Sequence, residues 1–134
     1  MNKSIISRIA AYAAALILLQ TLFFKFTAHP DSVYIFTELG LEPFGRISIG
    51  VLELITAILL IVPNTRGLGG LLGLGIISGA IFSHLSQLGI VVNNDGGTLF
   101  GMAIAVFVLS FTVAWLHRTE IPVVQRFFAK AQVV

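Results

Sequence analysis

The sequence contains no cysteine, and this absence excludes several kinds of chemistry. Without thiols the chain forms no disulfide, holds no metal through thiolates and runs no dithiol relay of its own. Charge is also scarce: only 10% of the 134 residues are Asp, Glu, Lys or Arg. Soluble domains carry about a quarter. With 57% hydrophobic residues, too few polar side chains remain to cover a water-facing surface. The composition therefore predicts a single membrane-embedded domain.

The net charge of +2 does not point to nucleic acid. The eight Lys and Arg residues are scattered along the chain and form no cationic stripe interleaved with aromatic side chains. Their placement suits a protein oriented in a membrane. We therefore expect the lipid bilayer as the main partner and no nucleic acid.

Four apolar segments are long enough to cross a bilayer, which takes about 20 residues. They cover residues 9–28, 44–62, 67–91 and 97–117, and the last two contain no Asp, Glu, Lys or Arg. Short turns rich in Pro, Asn and Gly separate the last three segments, so consecutive helices should run antiparallel. The prediction is an all-α transmembrane four-helix up-down bundle.

The flanking regions complete this architecture. Lys3 and Arg8 before an apolar run are typical of a signal peptide, but three more spans follow, and we expect an uncleaved first span. In the first loop, Asp31 or Ser32 can cap a short helix that Gly40 ends, and we expect this helix to lie at the membrane interface. Residues 121–134 predict a basic amphipathic tail.

The distribution of Lys and Arg predicts the orientation. The side that carries both termini holds six of them and the opposite side two, which places both termini in the cytoplasm. The six are Lys3, Arg8, Arg66, Arg118, Arg126 and Lys130, and the two are Lys25 and Arg46. The first and third loops then face outward.

Glu53 is the only charged residue between Ile47 and Pro63. A carboxylate at the centre of a bilayer costs about 2.5–3.5 kcal/mol on insertion scales, so it needs a partner. Helical spacing places Glu53 on one face with Arg46, and the small-residue stripes of neighbouring spans end in Lys25 and His84. We expect Lys25 or His84 to contact Glu53 directly. Arg46, about 10 Å away along the axis, would need a water or a side chain between them.

These four residues, Lys25, Arg46, Glu53 and His84, form the predicted ligand-binding or proton-relay pocket. A structural ion pair that fixes helix register remains the alternative. Weaker candidates lie in the outward loops: His29, Glu38, Glu42 and Asp95. No metal is expected, and haem is disfavoured because only His29 and His84 fall on the same side. No residue is assigned a catalytic role.

Five short motifs follow one another along the chain: FFKF at 23–26, His-Pro at 29–30, FTELG at 36–40, GVLEL at 50–54 and SGAIFSHL at 78–85. In order and spacing they resemble the DoxX-like family of four-helix membrane proteins. The resemblance covers most of residues 5–117. It implies a bacterial-type inner-membrane protein, with family roles in thiosulfate:quinone oxidoreduction, redox-stress complexes or chaperone-like assembly. Lys25, Glu53 and His84 stand where the family's polar residues recur.

The leading hypothesis is a redox-associated component that binds a quinone-like or small anionic ligand in an outward-facing pocket. Glu53 would exchange a proton, Lys25 and Arg46 would hold negative charge, and His84 would donate a hydrogen bond to a carbonyl oxygen. The alternatives are a non-catalytic assembly factor or scaffold and a small proton-coupled exporter. Whether the protein is an enzyme stays open, as do a membrane or periplasmic protein partner and a homodimer.

Overall fold

The computed structural model describes residues 2–122, 125, 126 and 130, and this part of the chain is helical and contains no strand. Its five helices are α1 (Lys3–Phe26), α2 (Pro30–Glu38), α3 (Phe44–Ile61), α4 (Arg66–Ser83) and α5 (Thr98–Leu116). The turn Pro63–Thr65 leads into α4, and a π-helical turn, His84–Leu88, extends it. Four segments built on α1, α3, α4 and α5 are long and apolar enough to cross a membrane. They support a multi-pass membrane protein.

The helix ends follow local hydrogen bonding. α1 begins at Lys3, before the predicted start at residue 9, because the Asn2 side chain accepts a 3.1 Å hydrogen bond from the Ser4 N–H and caps the polar first turn. α3 and α5 begin and end within one residue of the predicted 44–62 and 97–117. The third segment departs from regular α-helix at His84. Most of the predicted tail, 121–134, lies outside the described residues.

The short helix α2 has a different cap from the predicted Asp31 or Ser32. The ring nitrogen Nδ1 of His29 accepts a 3.2 Å hydrogen bond from the Asp31 N–H, and Pro30 occupies the first helical position. Proline suits that position because its missing N–H would have no partner there, so the helix starts earlier than predicted. Gly40, with φ +71°, follows the end of the helix as expected.

The long helices pack as neighbours in a ring. α1 and α4 each pack against both α3 and α5. Glycines allow the closest approaches: a Cβ on Gly69 would lie 2.7 Å from the Leu60 nitrogen, and one on Gly70 would lie 2.8 Å from the Ala114 nitrogen. α4 therefore rests directly on the backbones of α3 and α5, as small residues permit in apolar surroundings. The α1 side of the core is mostly small as well, with Ala10, Ala11, Ala14 and Ala15 all buried.

Candidate functional site

Glu53 lies in the middle of α3 and pairs with the last turn of α1. Its Oε2 is 3.1 Å from Lys25 Nζ, and the two side chains are 7% and 14% exposed. The Thr21 hydroxyl, one turn before Lys25, donates to the Leu18 carbonyl oxygen at 2.9 Å and lies 3.4 Å from the same Glu53 oxygen. The packing of α1 on α3 brings these groups together, and an opposite charge at this distance offsets part of the cost of burying the carboxylate.

Arg46, in the first turn of α3, connects this pair to the surface. Its Nη1 donates a hydrogen bond to the main-chain oxygen of Lys25. Its Nε donates to both carboxylate oxygens of Glu42, at 2.9 Å and 3.0 Å. Lys25 thus contacts both residues, Arg46 through its main-chain oxygen and Glu53 through its amine. These contacts form a chain of two acids and two cations whose formal charges cancel: Glu42, Arg46, Lys25 and Glu53.

Gly50 lies between Arg46 and Glu53 on α3. A Cβ at Gly50 would lie 2.7 Å from an edge carbon of the Phe26 ring, which packs against this bare stretch of α3. A larger residue would therefore require the Phe26 ring, which is 46% exposed, to shift.

His84 does not join this group. Among the described residues, no hydrogen bond or ion pair connects His84 to Glu53, and of the two expected partners only Lys25 makes the contact. The buried His84 ring instead bonds through Nδ1 to the Gly89 carbonyl oxygen at 2.8 Å and packs edge-on against Phe100. The π-helical turn that begins at His84 brings Gly89 into this position, and regular helical spacing gives no sign of such a turn.

The weaker candidates have separate surroundings. His29 caps α2 and packs edge-on against the Phe24 ring, while Glu42 binds Arg46. Glu38 is exposed on α2. Within the described part of the chain, no group of three His, Cys, Asp or Glu residues is placed to hold a metal ion.

Asp95 organises the turn before α5. Its carboxylate accepts hydrogen bonds from the main-chain N–H groups of Val92 (3.0 Å), Gly97 (2.8 Å) and Leu99 (3.1 Å). Partial desolvation raises the pKa of Asp95, but the N–H donors outweigh this effect and the net pKa lies below its ordinary value. Asp95 therefore acts as an ionised cap. Beside it, Asn93 donates to Asp31 at 3.0 Å and links the third loop to the first.

A second polar cluster, which the sequence reasoning missed, lies where α1 begins. Ser7 Oγ and His117 Nε2 are 2.5 Å apart, and His117 Nδ1 is 2.8 Å from Glu120 Oε2. These three residues adjoin a cavity of about 350 Å³ that Lys3 and Arg66 also line. One signal was available: Ser7 continues the small-residue stripe of α1 one turn before Ala11. Nothing in the spacing indicated that His117 would meet it.

Comparison with protein-family models, with characterised proteins and with solved structures gives no match for this chain. Functional assignment therefore rests on the two polar clusters and on the four long apolar helices.

Proposed function

We propose that the chain is a DoxX-like inner-membrane protein in which α1, α3, α4 and α5 form an up-down bundle with both termini in the cytoplasm. The ring-like packing of the four helices and the three-residue turn between α3 and α4 support this arrangement. In it, α2 lies at the outer membrane interface, and the Lys25–Glu53 pair lies in the outer half of the bundle. The excess of Lys and Arg on the side of the termini supports the orientation.

The proposed activity is the binding of a quinone-like ligand at the Lys25–Glu53 pair, as part of a redox system. The observation that carries it is the 3.1 Å contact between a lysine amine and a carboxylate inside membrane-spanning helices. Ionisable residues in such a place mark ligand or proton pathways more often than they serve packing. The Lys25 side chain is 14% exposed, and in this proposal its amine meets a ligand that arrives from the lipid.

Charge balance favours a neutral ligand over a small anion. Glu53 already faces Lys25, and Glu42 already occupies Arg46, so neither cation offers an uncompensated positive charge. A quinone-like ligand needs only a donor for its carbonyl oxygen and a group that exchanges a proton. In this proposal Lys25 is the donor and Glu53 exchanges the proton, while Arg46 holds the end of α1 in place. His84, bound to Gly89, has no role in it.

A ligand titration of the purified full chain in nanodiscs tests the proposal. We expect a short-chain ubiquinone analogue to raise the melting temperature of the wild type in a saturable manner, because a ligand that binds only the folded state stabilises it. Glu53→Gln and Lys25→Met should lose that shift. Glu38→Gln, which changes an exposed acid outside the pair, should keep it. The absence of a saturable shift in the wild type, or equal shifts in all four proteins, would contradict the proposal.

One observation favours a second function, a non-catalytic assembly factor or scaffold. The four charged residues of the network each have a partner within the chain, which is what a purely structural network requires: Glu42, Arg46, Lys25 and Glu53. This function predicts that the quinone analogue leaves the melting temperature unchanged. It also predicts a stoichiometric protein partner on mild purification, with Glu53→Gln reducing function only in proportion to protein abundance.

A further inference from the structure

Three side chains, one from α1 and two from the segment that follows α5, form a continuous hydrogen-bonded chain at the end of the molecule where α1 begins. Ser7 Oγ lies 2.5 Å from His117 Nε2, and His117 Nδ1 lies 2.8 Å from Glu120 Oε2. Ser7 belongs to the second turn of α1, His117 follows α5, and Glu120 ends the next turn, Arg118–Glu120. Along α1, Ser7 and Lys25 are about 27 Å apart, so this cluster is separate from the proposed quinone site.

The order of the three groups is that of a nucleophile, a base and a group that orients the base. A carboxylate only accepts hydrogen bonds, so in the neutral imidazole it fixes the proton on Nδ1. Nε2 is then left to accept the hydroxyl proton of Ser7. This relation between groups, rather than a sequence motif or a particular fold, identifies activated serines in unrelated proteins.

The surrounding helices hold the histidine in this position. A Cβ on Gly67 would lie 2.8 Å from the His117 Cβ, so the start of α4 packs directly against the histidine. The serine is 1% exposed, and the only polar contact recorded for its hydroxyl among the described residues is with His117. Packing therefore fixes Ser7 and His117 before any ligand binds, while the Glu120 side chain, which is 60% exposed, is held by its hydrogen bond to His117.

A half-open cavity adjoins the cluster. Its volume of about 350 Å³ falls within the range of about 300–1,000 Å³ typical of small-molecule sites. Ser7, His117 and Glu120 line it together with two cations, Lys3 and Arg66. The buried Arg66 guanidinium donates to the Leu60 and Ile61 carbonyl oxygens at 2.9 Å and 3.1 Å, which fixes its orientation. The cavity thus combines a nucleophile with fixed positive charge.

We propose that Ser7, His117 and Glu120 form a hydrolytic site for carboxylic esters that carry an anionic group. Ser7 Oγ forms a bond to the ester carbonyl carbon while its proton passes to His117 Nε2. The bond from that carbon to the alcohol oxygen then breaks, and the alcohol leaves with the proton from His117. Water repeats the sequence on the acyl-serine, releases the acid and restores the hydroxyl. Lys3 and Arg66 offset the charge on the carbonyl oxygen and hold the anionic group.

Covalent labelling of the full chain in nanodiscs tests the nucleophile directly. We expect a fluorophosphonate probe to form one adduct, mapped to Ser7 by mass spectrometry. The control is Ser86, an exposed serine of the π-helical turn that does not line the cavity and that non-specific chemistry would modify first. Ser7→Ala should abolish labelling, Ser86→Ala should leave its rate unchanged, and His117→Gln should lower the rate by about 10²–10⁴-fold. No adduct at Ser7 in the folded wild type, or an unchanged rate in His117→Gln, would overturn the proposal.

Two further measurements distinguish a positioning role of Glu120 and a preference for anionic esters from an effect on folding. Glu120→Gln should lower the limiting labelling rate at saturating probe and leave the half-saturating concentration unchanged, because Glu120 acts on the base and not on the probe. The wild type should hydrolyse the p-nitrophenyl monoester of adipate faster than p-nitrophenyl hexanoate, which has the same chain length and no carboxylate. Lys3→Met should reduce that preference. Equal rates for the two esters would overturn the assignment of an anionic substrate even if Ser7 is labelled.

Discussion

Arg46 donates a hydrogen bond to the main-chain oxygen of Lys25, the same residue whose amine pairs with Glu53. Two charged residues of α3 therefore hold one residue of α1 by different atoms. The carbonyl belongs to the last turn of α1, where positive charge is favourable. The end of α1 is thus fixed against α3, and Lys25 is the residue on which the network depends.

Lys25→Met should destabilise the protein strongly. It leaves the buried Glu53 carboxylate with the Thr21 hydroxyl and no opposite charge, and breaking a buried pair in this way costs about 3–5 kcal/mol. Unfolding in mixed micelles, followed by helical circular dichroism, measures the loss. The double variant Lys25→Met/Glu53→Gln should recover most of it, because no buried charge remains. A double variant as unstable as the sum of the two single variants would contradict a direct interaction.

Gly70→Ala and Gly79→Ala should have opposite effects on the stability of the protein, although both residues lie in α4. A Cβ at Gly70 would lie 2.8 Å from the Ala114 nitrogen and 2.9 Å from the Ser110 oxygen, both backbone atoms that cannot rotate away. α4 and α5 must then separate, at a cost of about 1–3 kcal/mol. Gly79 has open space around its Cβ position, and alanine there should gain about 0.5–1 kcal/mol through helix propensity. Thermal unfolding of both variants checks the contrast, and equal effects would count against the close contact of α4 with α5.

The turn before α5 should be sensitive to acid because of Asp95. Its folded pKa is below the ordinary value of about 3.9, so its contribution to stability is complete above that pH and is lost as pH falls through the folded pKa. Asn in its place does not titrate and cannot accept the Leu99 hydrogen bond at the second oxygen. Melting temperatures at neutral pH and below about pH 4 should therefore differ less in Asp95→Asn than in the wild type. Glu38→Gln is the control, and a wild type no more acid-sensitive than Asp95→Asn would refute the role.

Much of the helical architecture could be predicted from the sequence, because charge-free apolar runs bounded by Pro, Asn and Gly leave few alternatives. The bounds of α3 and α5 illustrate this. The Lys25–Glu53 contact was also among the predictions, because small-residue stripes indicate which helix faces meet. The π-helical turn at His84 was not predicted, since it depends on local hydrogen bonding that hydrophobic spacing does not reveal. The Ser7–His117 contact joins residues 110 positions apart and depends on the packing of α1 against α5.

Ser7 and Ser110 are both fully buried, yet their replacement by alanine should have opposite effects. Ser110 Oγ has no hydrogen-bond partner among the described residues, and it faces Gly73, where a Cβ would lie 2.7 Å away. An unsatisfied buried hydroxyl is costly, so Ser110→Ala should stabilise the protein by about 1 kcal/mol. Ser7→Ala instead removes the hydrogen bond to His117 and should cost about 1 kcal/mol. Unfolding of both variants under the same micelle conditions provides the comparison. If Ser110→Ala proves as destabilising as Ser7→Ala, the Ser110 hydroxyl is not an unsatisfied group in the folded protein.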